Sequence, residues 1–134
     1  MSEHRDEAAA ARQKARRALR TARRNLEDGD ADGAVNRTYY AAFYLASAAL
    51  HLAGEQPNTH KGVHMRFRRR FVKDGSFPED LAGLLTYAQQ QREKADYNFM
   101  TIYDTSAASD LLEDVEAFCE EAETLLDDLA REGE

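Results

Sequence analysis

The segment Asp30–Gly54, DADGAVNRTYYAAFYLASAALHLAG, decides the fold of this chain. It opens on the turn and cap residues Asp30, Asp32 and Gly33 and closes on Gly54, which are typical start and stop signals of a helix. Between these signals the sequence is apolar on almost every side. The pattern therefore predicts a helix that is buried at the centre of a bundle rather than one that lies on a surface.

One line along this helix is polar. Its members recur at spacings of three and four and so share one face: Arg37, Tyr40, Tyr44, Ser47 and His51. A buried or half-buried arginine needs a partner, because an unpaired charge away from water is costly. We expect Arg37 to reach Asp96 directly or through one intermediary, in a polar network that includes Tyr40. Arg37→Ala would then destabilise the protein by roughly a few kcal/mol.

Length and composition limit the class of protein. The 134 residues fit a single domain, 1–134, and two prolines with long stretches between helix breakers predict an all-α fold. The single cysteine, Cys119, excludes an intramolecular disulfide and a zinc site built from cysteines, in keeping with a cytoplasmic protein. No apolar run has transmembrane length and the charged first residues do not resemble a signal peptide, so we expect no membrane association.

Charge is unevenly distributed along the chain. The formal net charge of −7 argues against general nucleic-acid binding. The first predicted helix is basic and almost every charge after Asp104 is acidic, which favours ion pairing between the first and last helices over an RNA-binding surface. A second basic patch has no acid in its sequence and comprises Lys61, Arg66, Arg68, Arg69, Arg70 and Lys73.

Hydrophobic periodicity predicts five helices, at about residues 3–28, 31–54, 60–74, 77–96 and 104–131. Thr59 is the expected N-cap of the third helix, and Ser76-x-x-Glu79, with Pro78 in the first turn, is a capping-box pattern for the fourth. The aromatic-rich segment 97–103 breaks the helical pattern, and we expect a packed connection there. The regular apolar line of the last helix indicates packing onto the bundle, with coiled-coil pairing to another subunit as the alternative.

Two histidines and one arginine are the candidates for chemistry. His60 and His64 are four residues apart, but no third ligand completes a metal site, so we expect no metal and no other cofactor. A His60 held by hydrogen bonds in its loop is the favoured interpretation. Arg92 lies on the apolar line of the fourth helix, and Asp96 follows one turn later.

Four motifs carry a resemblance to a known family. They are NRTYYAAFYLASAAL at 36–50, TH-x-G at 59–62, FRRRFV-x-x-G at 67–75 and R-x-x-A-D-Y at 92–97. In this order and spacing they resemble the HEPN (higher eukaryotes and prokaryotes nucleotide-binding) domain family, most closely its small stand-alone prokaryotic branch. The resemblance implies an up-and-down bundle of four to five helices, often dimeric. It also implies a nucleotidyltransferase partner in a module of toxin–antitoxin type.

The resemblance also implies a ribonuclease chemistry that this sequence does not fully match. Active members cleave RNA without metal, using an arginine and a histidine four to six residues later across a dimer cleft. Here Arg92 is followed by Tyr97, and no histidine stands at a permitted place. Cleavage needs a group that exchanges protons near neutral pH, which histidine does and tyrosine, with a pKa of about 10, does poorly. We therefore expect a non-catalytic module that binds RNA or a nucleotide, or docks on a nucleotidyltransferase.

Two alternatives stay open. One is a metal-independent endoribonuclease toxin with a rearranged site, in which Arg92 and His60 are the catalytic candidates. The other is a purely structural dimeric helical protein, in which Arg92 joins the network of Asp96 and Arg37. The candidate residues for binding a nucleotide or RNA are Arg92, Arg37, Arg66, Arg69, Arg70 and Tyr97. By resemblance we expect a homodimer whose two Arg92 regions face a shared cleft.

Overall fold

Five α-helices and one π-helical segment make up the structure, a computed structural model that describes residues 2–133. The helices are α1 (Ser2–Glu27), α2 (Ala31–Leu52), α3 (His60–Phe67), α4 (Glu79–Tyr97) and α5 (Thr105–Glu132). The π segment, Arg68–Val72, continues α3. The predicted all-α class is confirmed. None of the helices within residues 2–133 combines the length and the apolar character that crossing a membrane requires.

α2 is the central helix of the bundle, as the sequence predicts. The Asp30 carboxylate caps it by accepting a hydrogen bond from the Gly33 N–H at 2.9 Å. The helix packs against α1, α3, α4 and α5. Small side chains such as Ala41, Ala46 and Ala48 are fully buried, which lets these neighbours approach closely. The polar stripe remains half-buried along its whole length, so α2 keeps one face partly open to solvent.

α1 and α5 are joined by ion pairs. Arg12 Nε lies 2.6 Å from the Glu123 carboxylate, and its Nη2 lies 2.9 Å from Asp127. Arg16 Nε contacts the other oxygen of Glu123 at 3.1 Å. Further along, Arg23 Nη2 and the Glu116 carboxylate are 2.5 Å apart. The predicted pairing of the basic first helix with the acidic last helix is therefore confirmed.

The third helix differs from its predicted form. Thr59 caps it, accepting from the Gly62 N–H at 2.9 Å, but its α-helical part ends at Phe67 rather than at 74. The next turn widens into the π segment, in which the Lys73 N–H donates to the Arg68 carbonyl at 3.2 Å. Phe67 and Phe71 are both buried, so the wider turn keeps the apolar face on the core.

The predicted capping box at the start of α4 is wrong. Pro78 is the N-cap residue, with no side-chain cap hydrogen bond, and the helix begins at Glu79. The Ser76 N–H instead donates to the Asp74 carboxylate at 2.9 Å. Phe77 explains the difference, because its ring is buried 5.0 Å from the rings of both Phe67 and Phe118. Burying that ring draws the chain inward and leaves Ser76 in the preceding turn.

The segment between α4 and α5 is not the packed connection that the sequence predicts. Tyr97, Phe99, Met100 and Ile102 are 67%, 88%, 91% and 84% exposed. Tyr103 anchors the end of the segment, because its hydroxyl donates to Gln91 at 2.7 Å and its N–H donates to Asp32 at 3.1 Å. The large apolar side chains before it lie mostly in solvent.

Candidate functional site

The site is built around Tyr39, a residue of α2 that is completely buried. Its hydroxyl oxygen lies 2.7 Å from His60 Nδ1 and 3.1 Å from His64 Nε2. The two histidines are one turn apart on α3 and therefore reach the same point. A phenol hydroxyl has one proton, so it donates to one ring and accepts an N–H from the other. The expected hydrogen-bonded state of His60 is confirmed.

The local environment keeps all three groups neutral at pH 7. Burial, and to a smaller extent the neighbouring His60, lower the pKa of His64 to about 4. Burial also lowers the pKa of His60, Arg92 adds to the effect and Glu93 opposes it. Burial raises the pKa of Tyr39 above its ordinary value. A neutral histidine pair can accept protons but carries no positive charge of its own.

Arg92 supplies the positive charge of the site. Its guanidinium carbon lies 5.3 Å from the centre of the Tyr39 ring and 5.6 Å from that of Tyr40, within cation–π range. Nη1 donates to Asp96 at 3.1 Å, and the side chain is only 12% exposed. Within residues 2–133, the buried Nε has no hydrogen-bond acceptor. Burial works to lower the pKa of Arg92, but Tyr40, Tyr97 and Asp96 outweigh it, so the group stays charged.

Arg37 is linked to Asp96 through one intermediary, which is one of the two expected arrangements. Its Nε donates to Asn36 Oδ1 at 3.0 Å, and Asn36 Nδ2 donates to Asp96 Oδ2 at 3.1 Å. The Arg37 guanidinium also lies 5.1 Å from the Tyr40 ring centre. Asn36 directly precedes Arg37 and was not among the residues predicted for this network. One carboxylate thus serves both helices and both arginines.

His60 and Arg92, the two catalytic candidates, meet at the same pair of aromatic rings. The His60 ring stacks on Phe43 at 4.3 Å and lies edge-on to Tyr40 at 5.8 Å. Tyr39 and Tyr40 therefore contact both His60 and Arg92. The hydrogen bond to Tyr39 uses Nδ1, and no residue of the described chain forms a hydrogen bond with Nε2. The histidine is thus held by one nitrogen, and the other remains available.

The remaining candidates divide between two places. Tyr97 ends α4, is largely exposed and contributes to the raised pKa of Arg92, so it belongs to this site. The basic patch does not, since three of its arginines pair with acids outside the site. Arg66 and Arg70 lie 3.5 and 4.0 Å from Glu55, and Arg68 lies 4.0 Å from Glu79. Among the residues described, Arg69 makes no ion pair. Folding thus brings acids to a patch that has none in its own sequence.

Comparisons with known proteins agree with this architecture. Residues 8–125 match the sequence model of the HEPN domain. A UPF0332 protein of Thermotoga maritima is 33% identical over 120 residues, which cover 90% of this chain and 91% of that protein. "Putative toxin MJ0142" of Methanocaldococcus jannaschii is 34% identical over 67 residues, 50% of this chain and 46% of that protein. "Putative toxin MJ0605" of the same organism is 39% identical over 64 residues, 48% of each chain.

Proposed function

Because this chain belongs to the HEPN domain family, we propose that it is an RNA-binding member of a toxin–antitoxin-type module. Arg92 is the proposed phosphate-binding residue, and turnover is slow or absent. The toxin names of two similar proteins support the type of module, although their similarity covers about half of this chain. The observation that carries the proposal is the fixed, charged guanidinium of Arg92 at the meeting point of α2, α3 and α4.

The geometry around Arg92 suits a phosphate. Two guanidinium groups, those of Arg37 and Arg92, flank the Tyr40 ring at 5.1 and 5.6 Å, while one carboxylate, Asp96, compensates both. Glu93 also acts on this site, so the attraction for an anion rests on the two guanidinium groups and not on a large net charge. Asp96 and the two tyrosine rings orient the Arg92 side chain, so little conformational freedom is lost on binding. Arginine also presents a planar set of donors that matches phosphate oxygens.

Limited turnover follows from the place of Tyr97. The resemblance puts the proton-transferring histidine of active members at this position. A tyrosine side chain ordinarily keeps its proton until the pH reaches about 10. The tyrosine lies beside Arg92 and is largely exposed, so it can stack on a base or hydrogen-bond to RNA. It cannot efficiently accept the proton of a ribose hydroxyl at neutral pH.

The binding test measures affinity for a mixed-sequence single-stranded RNA over a series of salt concentrations. Wild-type affinity should fall as salt rises, and Arg92→Ala should reduce the slope of log affinity against log salt by about 0.7, one phosphate contact on a single strand. Arg17→Ala is the matched control, since it removes an exposed arginine from α1 without touching the site. No binding by the wild type, or equal slopes for wild type and Arg92→Ala, would refute the proposal.

Arg69 tests whether the basic patch takes part as well. It is exposed, and no ion pair engages it in residues 2–133, whereas Arg66 and Arg70 share Glu55. If RNA crosses from the site to the patch, Arg69→Ala lowers the salt slope by a further increment of similar size. An unchanged slope in Arg69→Ala would restrict the binding surface to the Arg92 region.

A second candidate function has a specific observation in its favour. His60 contacts the same tyrosine rings as Arg92, is neutral at pH 7 and keeps Nε2 available. In an endoribonuclease reaction, Nε2 would accept the proton of a ribose 2′-OH, whose oxygen attacks the adjacent phosphorus. The bond to the 5′-oxygen breaks, that oxygen takes up a proton, and a 2′,3′-cyclic phosphate remains. Arg92 would stabilise the charge on the phosphoryl oxygens.

One cleavage assay without added metal separates the two candidates. Wild type, Arg92→Ala, His60→Gln and Tyr97→His are incubated with the RNA used for binding. Under the proposal, the wild type binds without turnover and Tyr97→His gains cleavage. Rapid wild-type cleavage that is lost in both Arg92→Ala and His60→Gln would overturn the proposal and establish the endoribonuclease. Circular dichroism of each variant confirms that the fold is retained.

The proposal includes two protein partners. A second copy of the chain is expected at the exposed segment 97–102, and a nucleotidyltransferase is expected by family resemblance. Coexpression with the nucleotidyltransferase encoded beside this gene, where one exists, followed by size-exclusion chromatography tests the second partner directly. Separate elution of the two proteins at micromolar concentration would contradict it.

A further inference from the structure

Three potential metal ligands converge where the start of α1 meets the end of α2. His4 and Glu7 are three residues apart on α1 and face the same way, and His51 lies in the last turn of α2. One ligand atom from each lies within 4.8 Å of the others. Spacing along the sequence does not reveal this group, because His51 is far from the other two residues along the chain.

One nitrogen of the cluster, His51 Nδ1, is left without a hydrogen bond. His51 Nδ1 is buried and lies 2.8 Å from the Glu7 carboxylate. Despite that short distance, Nδ1 makes no contact of hydrogen-bond geometry with any residue in 2–133. The His4 ring is contacted by the Gln56 amide at 3.3 Å, which restrains its orientation. A cation between the three side chains would give His51 Nδ1 the partner that it lacks.

We infer that His4, Glu7 and His51 form a zinc site that fastens the beginning of α1 to the end of α2. Two imidazole nitrogens and one carboxylate oxygen are a known protein ligand set for Zn²⁺, with a fourth position for water. Hard cations such as Mg²⁺ and Ca²⁺ instead prefer sites made of oxygen ligands alone. Zinc bonds of about 2.0–2.1 Å in a tetrahedron put ligand atoms about 3.3 Å apart, so modest rotamer changes would close the cluster.

The surroundings permit a cation here. The nearest positive side chain along α1 is Arg5, and its Nη2 is directed to the Ala130 carbonyl at 2.9 Å. The site is separate from the Arg92 region. His51 is eleven residues beyond Tyr40 on α2, which corresponds to about 16 Å along the helix axis. Zinc would therefore act on the stability of the bundle and the order of the first turns of α1, not on the residues that contact RNA.

The test uses the full chain with any affinity tag removed, since a histidine tag would itself bind zinc. Isothermal titration with zinc chloride at neutral pH should give one site per chain, and zinc should raise the thermal unfolding midpoint until EDTA is added. Titration with Co²⁺ in place of zinc should give the intense visible bands of a four-coordinate nitrogen and oxygen site.

Variants assign the ligands. His4→Ala, Glu7→Gln and His51→Gln should each weaken zinc binding by at least about tenfold, the size of effect expected even from outer-shell partners. His4→Ala alters only the first turns of α1 and so keeps the test valid if His51→Gln folds poorly. His60→Gln and His64→Gln are the matched controls, because they remove the other two histidines and should bind zinc as the wild type does. Absence of saturable binding at micromolar zinc, or equal losses in the controls, would overturn the assignment.

Discussion

Tyr39 holds two histidines at the centre of the bundle by hydrogen bonds, and this arrangement makes the stability of the fold depend on pH. Its hydroxyl lies at hydrogen-bond distance from both rings, so it donates to one ring and accepts an N–H from the other. A second proton on His64 would place an extra charge in a mostly buried position beside Tyr39. The protonation state of His64 therefore affects the free energy of unfolding.

Stability should fall as the pH is lowered from about 6.5 to about 4, in part because of His64. The unfolded chain binds a proton on this histidine below its ordinary pKa of about 6.5, whereas the folded chain resists until about 4. Between these values the unfolded state holds more protons, so the free energy of unfolding rises with pH and drops on acidification. Urea midpoints measured over this range should show a shallower pH dependence in His64→Gln than in the wild type.

The control for this experiment is Thr86→Ala, an exposed change on α4 that leaves the histidines in place. It should reproduce the wild-type pH dependence. Parallel curves for wild type and His64→Gln would show that the histidine is accessible to protons in the folded state.

Residue spacing predicted some partners and missed others. Periodicity put Arg37 on a polar stripe and Asp96 beside an apolar line, and the two are indeed connected. It could not supply Asn36, since an amide bridge depends on side-chain torsions rather than on spacing. The bridge also changes the expected energetics. Arg37 bonds to a neutral amide and lies over a ring, so its removal should cost about 1 kcal/mol, less than the loss of a buried ion pair.

α1 and α5 form a charged seam whose members alternate between the two helices. The Glu123 carboxylate receives Arg12 through one oxygen and Arg16 through the other, and Asp127 takes a second nitrogen of Arg12. Burial would lower the pKa of Arg12, but these acids outweigh it and raise it. Because Arg12 contacts acids on two neighbouring turns of α5, it fixes the position of α1 along the axis of α5.

Removing these contacts of Arg12 should weaken the bundle in a salt-dependent way. Arg12→Gln should lower the free energy of unfolding by about 1 kcal/mol at low salt, the upper end for partly exposed pairs. The loss should shrink in 1 M NaCl, where the Debye length is about 3 Å. Arg17→Gln, an exposed change on the same helix, should have little effect at either salt concentration. A deficit for Arg12→Gln that does not change with salt would point to lost packing of the aliphatic stem instead.

At the level of elements, helix existence was predictable and helix ends were less so. The five apolar lines specify five helices because each must bury one face. The π segment leaves almost no mark on the pattern, since Phe67 and Phe71 are spaced as in an α-helix. Ser76 has the spacing of a capping box, but the burial of Phe77 outweighs one cap hydrogen bond. Tertiary packing decides both the π segment and the start of α4, and the spacing of residues along the sequence carries no information about that packing.

At the scale of the whole molecule, residues 97–102 form a run of exposed apolar side chains within the described part of the chain. Four large side chains between 97 and 102 are mostly in solvent: Tyr97, Phe99, Met100 and Ile102. Such residues adjoining one another usually mark an interaction surface. Tyr97 also borders the Arg92 site, so an interface there would bring two such sites together. The sequence shows that this segment is rich in aromatic residues but not whether their side chains are buried or exposed. An apolar residue type alone does not distinguish a core from an interface.

We expect the wild-type chain to be a two-fold homodimer through this segment. Phe99→Ser combined with Met100→Ser should shift the mass measured by light scattering toward the monomer at micromolar protein. Met65→Ser is the matched control, since Met65 is 55% exposed on α3 and outside the segment. A monomer mass for the wild type would contradict the prediction, as would a dimer that the double substitution leaves intact.

The contact between Arg5 and the Ala130 carbonyl has a consequence for how the helices can be connected along the chain. It places the first turn of α1 beside the last turn of α5, so the beginning and the end of the described segment 2–133 are neighbours. A short glycine-rich linker could join these neighbours, and new termini could be opened in the loop at 54–58 between α2 and α3. Such a circular permutant would retain the same packing in a different genetic order. By the same geometry, two proteins fused to opposite ends of this chain would emerge from one corner of the bundle, close enough to report on each other.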